Sequence, residues 1–373
     1  MNLAKIDSSL FCVSALNKEK IVCVVFVSNF ELIKQIISSF CEIVCSYPTL
    51  KAFTLNCSYS ALLNLSSISE VNYITSVYKT SCFLNTAKKI VNVEKLHKQN
   101  ILGKGVGVAV IDTGCYPHLD FMLGRKKKIH FVDLVNNKPK LYDDNGHGTF
   151  VCGVISSSGL SSAGVYLGVA PLSQLTVIKA LDESGKAQGY VVLQAMDWVL
   201  ANYKKLNIRV VCMSFGCSPL TKFDALRIGA DALWDAGLVV VSAVGNDGPE
   251  SETINSPAIS SKIISVGSVD NHLRIPDFSS RGPSFDCTKP DVVAPGVGIT
   301  SLSNNSSLFT QMTGTSVSAP FVAGVAALLL QKFPELKPNE VKARIMYSAN
   351  PISANKNECG MGLLNGLNAF NFD

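Results

Sequence analysis

From residue 106 onward, the chain alternates continuous Val/Ile/Ala runs with stretches of helical spacing. The runs fall at 106–111, 129–132, 175–180, 208–214, 238–243, 263–266 and 292–294. Helical periodicity covers 147–156, 190–204, 223–236, 316–332 and 338–348. A strand that is apolar on both faces needs cover on both, whereas a half-wet antiparallel strand alternates apolar with polar. The pattern predicts an α/β domain of three layers, α/β/α, around a mainly parallel seven-stranded sheet. Sheets of this kind gather their functional groups at the carboxyl ends of the strands. The residues just after each run are therefore where chemistry should be sought.

A different order occupies the front. Strand-like segments at 21–28, 41–46, 51–57 and 71–78 are interleaved with helical ones at 31–40 and 60–68. The order βαββαβ in so short a span is that of a small ferredoxin-like α+β domain. It carries no constellation of titratable groups, so a structural or inhibitory role is expected. Residues 1–20 are irregular, and 81–102 reads as a basic connector with little periodicity. The expected division is 1–80 and 81–373, with the boundary between 78 and 85.

Composition excludes several classes. With 373 residues, 47% apolar and 16% charged, the chain can bury two cores and is not a disordered type. A net charge of +5 does not demand a nucleic-acid partner, and Arg125-Lys126-Lys127-Lys128 reads as a solvated loop face. No apolar run reaches transmembrane length, and the first residues lack the layout of a secretion signal. The expectation is a protein with no nucleic-acid or membrane partner, working in the cytoplasm or inside a spore-like structure. Its twelve cysteines show no CxxC framework, which predicts free, mostly buried thiols and neither a zinc site nor a disulfide scaffold.

Four residues stand out at run ends. Asp112 follows Val106-Gly107-Val108-Ala109-Val110-Ile111, His147 lies between two glycines at a helix start, and Asn246 follows 239–245 in a Gly-rich turn. Ser316 lies in Thr313-Gly314-Thr315-Ser316-Val317-Ser318-Ala319-Pro320, at or beside the N-cap of the helix that runs to Leu330. Each has an ordinary reading: a turn-capping Asp, a structural His, a turn Asn and a helix-capping Ser. Together they have another, because a serine nucleophile needs a base, the base an orienting acid, and the oxyanion a donor. His97, His130 and His272 lack such surroundings, and His118 reads as solvated in a Pro-bearing loop. Gly103-Lys104-Gly105-Val106-Gly107 precedes its strand, where a dinucleotide fingerprint would follow one. Cys115 and Cys152 have no second histidine and read as packing residues.

The order Asp112, His147, Ser316 with Asn246 resembles the subtilisin-like serine proteases, the subtilases, whose chain order is Asp, His, Ser. The matching pieces are Val-Ala-Val-Ile-Asp-Thr-Gly at 108–114, Asn-Gly-His-Gly-Thr at 145–149, Gly-Val-Ala-Pro at 168–171 and Met-Ser-Phe-Gly at 213–216. Gly-Asn-Asp-Gly at 245–248 and Gly-Thr-Ser-Val-Ser-Ala-Pro at 314–320 follow, with a family-like ending at 360–365. The likeness spans about 85–373. It implies a serine endopeptidase with Asp112, His147 and Ser316 as the triad and Asn246 in the oxyanion hole. It further implies that Ser214, Phe215 and Gly216 line the primary pocket and that Lys186, Ala187 and Gln188 form the opposite edge of an extended polypeptide-binding site.

By the same resemblance, the front domain is a propeptide that serves as chaperone and inhibitor, and the first substrate is the chain's own segment at 78–85. A pseudoprotease, or an enzyme whose propeptide stays bound, is the alternative. No cofactor is required for the chemistry. Relatives often hold calcium near 156–164; here that loop offers hydroxyls and carbonyls, with Asp120 as the available carboxylate. Asn255 falls near the pocket floor and leaves the P1 preference open, while Ala187 stands where a glycine is frequent.

Overall fold

In a computed structural model, the described residues are 2–6, 21–76, 84–122, 129–219, 221, 224–285, 287–305 and 307–372. Most of 1–20, residues 78–83 of the expected cleavage segment, the basic run 125–128 and the start of the helix expected at 223 lie outside them. The chain divides into two compact units, Met1–Ser81 and Cys82–Asp373.

In the first unit, β1 (Ile21–Val27), β2 (Glu42–Tyr47), β3 (Ala52–Cys57) and β4 (Val71–Ser76) form a sheet ordered β2-β3-β1-β4, with every pairing antiparallel. The two helices, Phe30–Ile37 and Tyr59–Ser66, are capped by the side chains of Asn29 and Ser58. Alternation decides which sheet face they cover. In β1, Ile21, Cys23, Val25 and Val27 are buried against Ile33, Ile37, Leu62 and Leu65, while Val22 and Phe26 face out. This is the ferredoxin-like arrangement that the order βαββαβ predicts.

The second unit is built on β5 (Gly107–Asp112), β6 (His130–Asp133), β7 (Gln174–Lys179), β8 (Ile208–Met213), β9 (Val239–Ala243), β10 (Ile264–Val269) and β11 (Val292–Pro295). Their order is β11-β10-β9-β8-β5-β7-β6, and all six pairings are parallel. Every residue of β5, β9, β10 and β11 is buried, as a sheet covered on both faces requires. The strand order reverses at β5, whose neighbours β7 and β8 run on in opposite directions across the sheet. That switch point lies beside Asp112.

Helix His147–Ser156 packs against β5 and against helix Thr315–Lys332, which lies along β8 to β11. Helices Gly189–Asn202 and Ala225–Asp235 pack on each other and on β5 and β9. Every residue from Val317 to Leu330 is buried. Thr315–Lys332 is thus the core helix of the domain, and among the described residues it alone has the length and apolarity to cross a membrane.

Two expectations need correction. The stretch read as an aperiodic connector contains helices Leu84–Ile90 and Glu94–Lys98, too short to show periodicity but pinned by buried Val91, Val93 and Leu96. The hairpin of β12 (Ile299–Leu302) and β13 (Phe309–Met312) was not legible, because its four-residue strands are short and mixed.

Where β10 meets β11, Asp291 is buried between two lysines. Its Oδ2 accepts from Lys289 Nζ at 2.7 Å and from Ser265 N–H and Oγ at 2.8 Å, while Lys342 Nζ lies 3.1 Å from Oδ1. Burial raises the carboxyl, but the lysine charges outweigh it and hold Asp291 below the usual carboxylate range. Burial pushes Lys342 down to about 8. Asp291→Ala leaves two lysines without a counter-charge and should cost about 3–5 kcal/mol in urea unfolding at neutral pH. A depressed carboxyl stabilises above its unfolded value of 3.8, so the gap should close as pH falls below that range. A change under about 1 kcal/mol at neutral pH would show that the cluster does not anchor this edge.

Candidate active site

Asp112 is the last residue of β5 and fully buried, and its carbonyl accepts Ala180 N–H at 2.9 Å and Leu181 N–H at 3.2 Å. Its Oδ1 accepts Thr113 N–H and faces His147 Nδ1, each at 2.8 Å. His147 keeps 23% of its side chain exposed, so the ring is anchored on one side and reachable on the other. Burial pushes the imidazole down. The Asp112 charge and hydrogen bond, with Asp143 behind them, outweigh that and hold its pKa above the ordinary 6.5.

The turn that carries His147 is fixed by Asp143, a residue sequence reasoning passed over. Its Oδ1 accepts Thr113 Oγ1 at 2.9 Å, Gly146 N–H at 2.8 Å and Asn145 N–H at 3.1 Å. Its Oδ2 accepts Thr149 N–H at 2.8 Å and Thr149 Oγ1 at 2.6 Å. Thr113 Oγ1 also accepts Gly148 N–H at 2.9 Å, so the Asp112 loop and the His147 helix share one buried network. Gly148 is required by contact: a Cβ there would lie 2.2 Å from Gly114 O. Lys179, at the end of β7 and fully buried, donates to Thr113 O, Leu181 O and Asp144 Oδ1 at 2.7, 2.9 and 2.6 Å.

Ser316 is the second residue of its helix, not the cap. The cap is Gly314, whose N–H bonds Gly296 O at 2.8 Å, with φ of 153°. A Cβ at Gly314 would sit 3.3 Å from both Asn246 Nδ2 and Ser316 Oγ, so the glycine keeps this corner open. Asn246 Oδ1 accepts Thr315 N–H at 2.9 Å and contacts Thr315 Oγ1 at 3.1 Å. A backbone N–H can only donate, which fixes the amide orientation and turns Nδ2 toward the Ser316 side. Buried Thr315 in turn donates to Gly245 O and accepts from Gly245 N–H, locking the two loops together.

Ser316 and Asn246 open on a cavity of about 290 Å³ that is also lined by Ser214, Phe215, Gly216 and Asn255. The pocket residues expected from sequence are thus brought together with Ser316, and Asn255 does stand at their wall. Lys186, Ala187 and Gln188 are not among the lining residues. They form an exposed, extended stretch between a turn closed by Asp182 N–H to Lys186 O and helix Gly189–Asn202.

The loop after the His147 helix does not fit a calcium centre. The oxygens of Asp120 are already satisfied by Ser157 Oγ at 2.7 Å and by Ser161 N–H at 2.7 Å with its hydroxyl at 2.5 Å, and no second carboxylate joins them. Among the described residues, no group of three or more His, Cys, Asp or Glu is arranged to hold a metal. His118 is corrected as well. It is buried, with Nε2 on Leu308 O and Nδ1 accepting Asp120 N–H, and burial lowers its pKa. Cys115 and Cys152 are buried packing residues, as expected. The faint sign of Asp143 in the sequence is the pair Asp143-Asp144 just before Asn145-Gly146-His147.

In Asp143→Asn an NH₂ would replace one acceptor and face N–H donors that cannot rotate away. The expected outcome is a loss of about 2–3 kcal/mol in urea unfolding, measured on a Ser316→Ala background. Unchanged stability would mean that the network does not hold the turn.

Residues 103–362 match the Subtilase family. The chain is 39% identical over 317 residues to serine protease AprX of Bacillus subtilis, covering 76% of this chain and 70% of that protein. It is 33% identical over 279 residues to subtilisin DY of Bacillus licheniformis, covering 74% and 94%. Among solved structures, a cold-adapted subtilisin-like serine proteinase matches with a TM-score of 0.61 and 30% identity, over 72% of this chain and 90% of that one. With a family match over most of the peptidase-like unit, the same fold and relatives 33% and 39% identical over about three quarters of its length, the chain belongs to the subtilases, serine proteases that hydrolyse peptide bonds.

Proposed function

We propose that this chain is a serine endopeptidase made as a self-processing zymogen, with Ser316 as nucleophile, His147 as general base and acid, and Asp112 as its orienting acid. The observation that carries the assignment is the 2.8 Å bond from Asp112 to His147 Nδ1, on a helix packed against the one that carries Ser316. Because Nδ1 is engaged by Asp112, Nε2 is the nitrogen left to take the Ser316 proton as Oγ attacks the scissile carbonyl carbon. Asn246 Nδ2 and the Ser316 N–H at the helix N-terminus would hold the oxyanion, and one such donor in a subtilisin is worth about 2.7–4 kcal/mol of barrier. His147 then returns the proton to the leaving amine, and water repeats the cycle on the acyl-enzyme.

Ser214, Phe215 and Gly216 would receive the substrate's P1 residue. The exposed stretch Lys186, Ala187 and Gln188 would pair with its backbone as an added strand. The N-terminal unit, with its sheet order β2-β3-β1-β4, supports a propeptide role, and that role puts the cut in 78–85, after that unit's last strand. All ten cysteines among the described residues are free thiols, which supports a reducing compartment such as the cytoplasm.

Intact-mass measurement of purified wild type beside Ser316→Ala tests this. Wild type should be cut within 78–85 and should degrade a denatured protein, and Ser316→Ala should do neither. An uncut, inactive wild type would make the chain a subtilase fold retained for binding. Co-purification of the two pieces would show the propeptide persisting as inhibitor.

The raised His147 pKa sets the pH response. Only neutral imidazole accepts the Ser316 proton, so kcat/KM should rise with pH through a midpoint above 6.5. Asp112→Asn removes the charge that raises it. The midpoint should move to lower pH, with kcat reduced about 10⁴-fold. A midpoint that stays in place on a pH–rate profile would contradict the pairing.

A further inference from the structure

The cavity beside Ser316 ends on Asn255, which is 7% exposed. Its N–H donates to Val244 O at 2.8 Å. A Cβ at Gly216 would lie 2.8 Å from Asn255 Cβ, and one at Gly245 would lie 2.3 Å from its Nδ2, so the amide is slotted between two bare backbone walls. From there Nδ2 donates to Asp247 Oδ2 at 2.7 Å, while Asp247 N–H is held by Ser280 Oγ at 3.1 Å. Asn255 thereby positions a carboxylate at the end of the cavity. The same pair also lines a second cavity of about 510 Å³, whose wall includes Glu252. Ser218, Asp247 and Asn255 line both cavities.

Among the described residues, no lysine, arginine or histidine lines either cavity, and the carboxylate that lines the Ser316 cavity is Asp247. A large apolar side chain would have to strip water from the exposed Asp247 carboxylate and offer it nothing in return, which is unfavourable. A lysine or arginine lays its apolar stem along Phe215 and Ala243 and brings donors to the Asp247 carboxylate. Resting on the peptidase reading above, we infer that the Ser316 cavity takes a basic P1 side chain, selected by Asp247 and by Asn255, which holds it in place.

The test is kcat/KM on fluorogenic peptides that differ only at P1, carrying Lys, Arg, Gln, Leu or Phe, at low and high salt. Wild type should cleave after Lys and Arg at least about tenfold faster than after Leu or Phe, since hydrogen bonds to charged groups contribute on that scale. The margin should shrink with salt. Asp247→Asn should lower the Lys and Arg values about tenfold more than the Leu value. Asn255→Ala, which removes the donor that holds Asp247, should raise Phe relative to Lys. Asp247 is exposed, and circular dichroism checks that its variant is folded. Wild type preferring Leu or Phe, or an Asp247→Asn loss shared equally by every P1 residue, overturns the inference and leaves the peptidase reading intact. Failure of wild type to cleave any peptide or a denatured protein overturns both.

Discussion

A parallel sheet buried on both faces leaves its carboxyl edge as the place where polar side chains can gather, and the whole site depends on that edge being rigid. Asp112 leaves β5 at the switch in strand order, and its position is set by the N–H groups that follow β7. The loops after β8 and β9 bring Ser214 and Asn246 to the same edge. What keeps those loops from wandering is a set of buried hydrogen bonds: Asp143 with five donors, Lys179 with three acceptors, and Thr315 between Gly245 and Asn246. Buried charges are costly unless every lone pair and proton is used. Here they are used mostly on backbone groups and on Thr113, Thr149 and Asp144, so the cost is turned into fixed loop geometry.

The helices contribute in a complementary way. The His147 and Ser316 helices both begin at the site and run away from it into the core, so their first turns are clamped by apolar packing further along. Glycine at 148 and 314 then lets backbone and functional atoms approach more closely than any side chain would allow. A serine at the second helical position, two residues after a glycine cap, keeps its N–H free of intrahelical bonding, which suits the nucleophile role proposed for Ser316. Ser316 can thus offer both Oγ and N–H to one substrate carbonyl. A serine at the cap itself would have its hydroxyl engaged by the helix.

Local pattern carried a great deal of this. Continuous apolar runs gave the strands and the strand-end residues, and helix 147–156 was bounded in the sequence as it is in the fold. Asp112, His147, Asn246 and Ser316 were legible because each follows an apolar run or opens a helix and is flanked by glycine. Thr315 and Lys179 were not, because their meaning lies in partners 66 to 70 positions away that no local period encodes. Nor was Asp143, because a turn-capping carboxylate shows no sign of its tie to Thr113 30 positions earlier. His118 misled for the same reason: a proline-bearing loop looks exposed until the hairpin of β12 and β13 covers it. Leu84–Ile90 and Glu94–Lys98 are too short to declare themselves, since helices of that length take their stability from packing more than from propensity.

One local rule is broken, and the break falls at Asp112, beside His147. Asp112 Oδ2 is buried with no hydrogen-bond partner, whereas Asp143, nearby and equally acidic, has both oxygens satisfied. Two carboxylates in one network therefore have opposite tasks. Asp143 spends its charge on backbone N–H groups and is structural. Asp112 is held by little besides Thr113 N–H and His147, so its charge is not dispersed into the fold and acts on the imidazole. Sites that sacrifice local satisfaction are the ones where function sets the requirement, and this position meets that description while its neighbours do not.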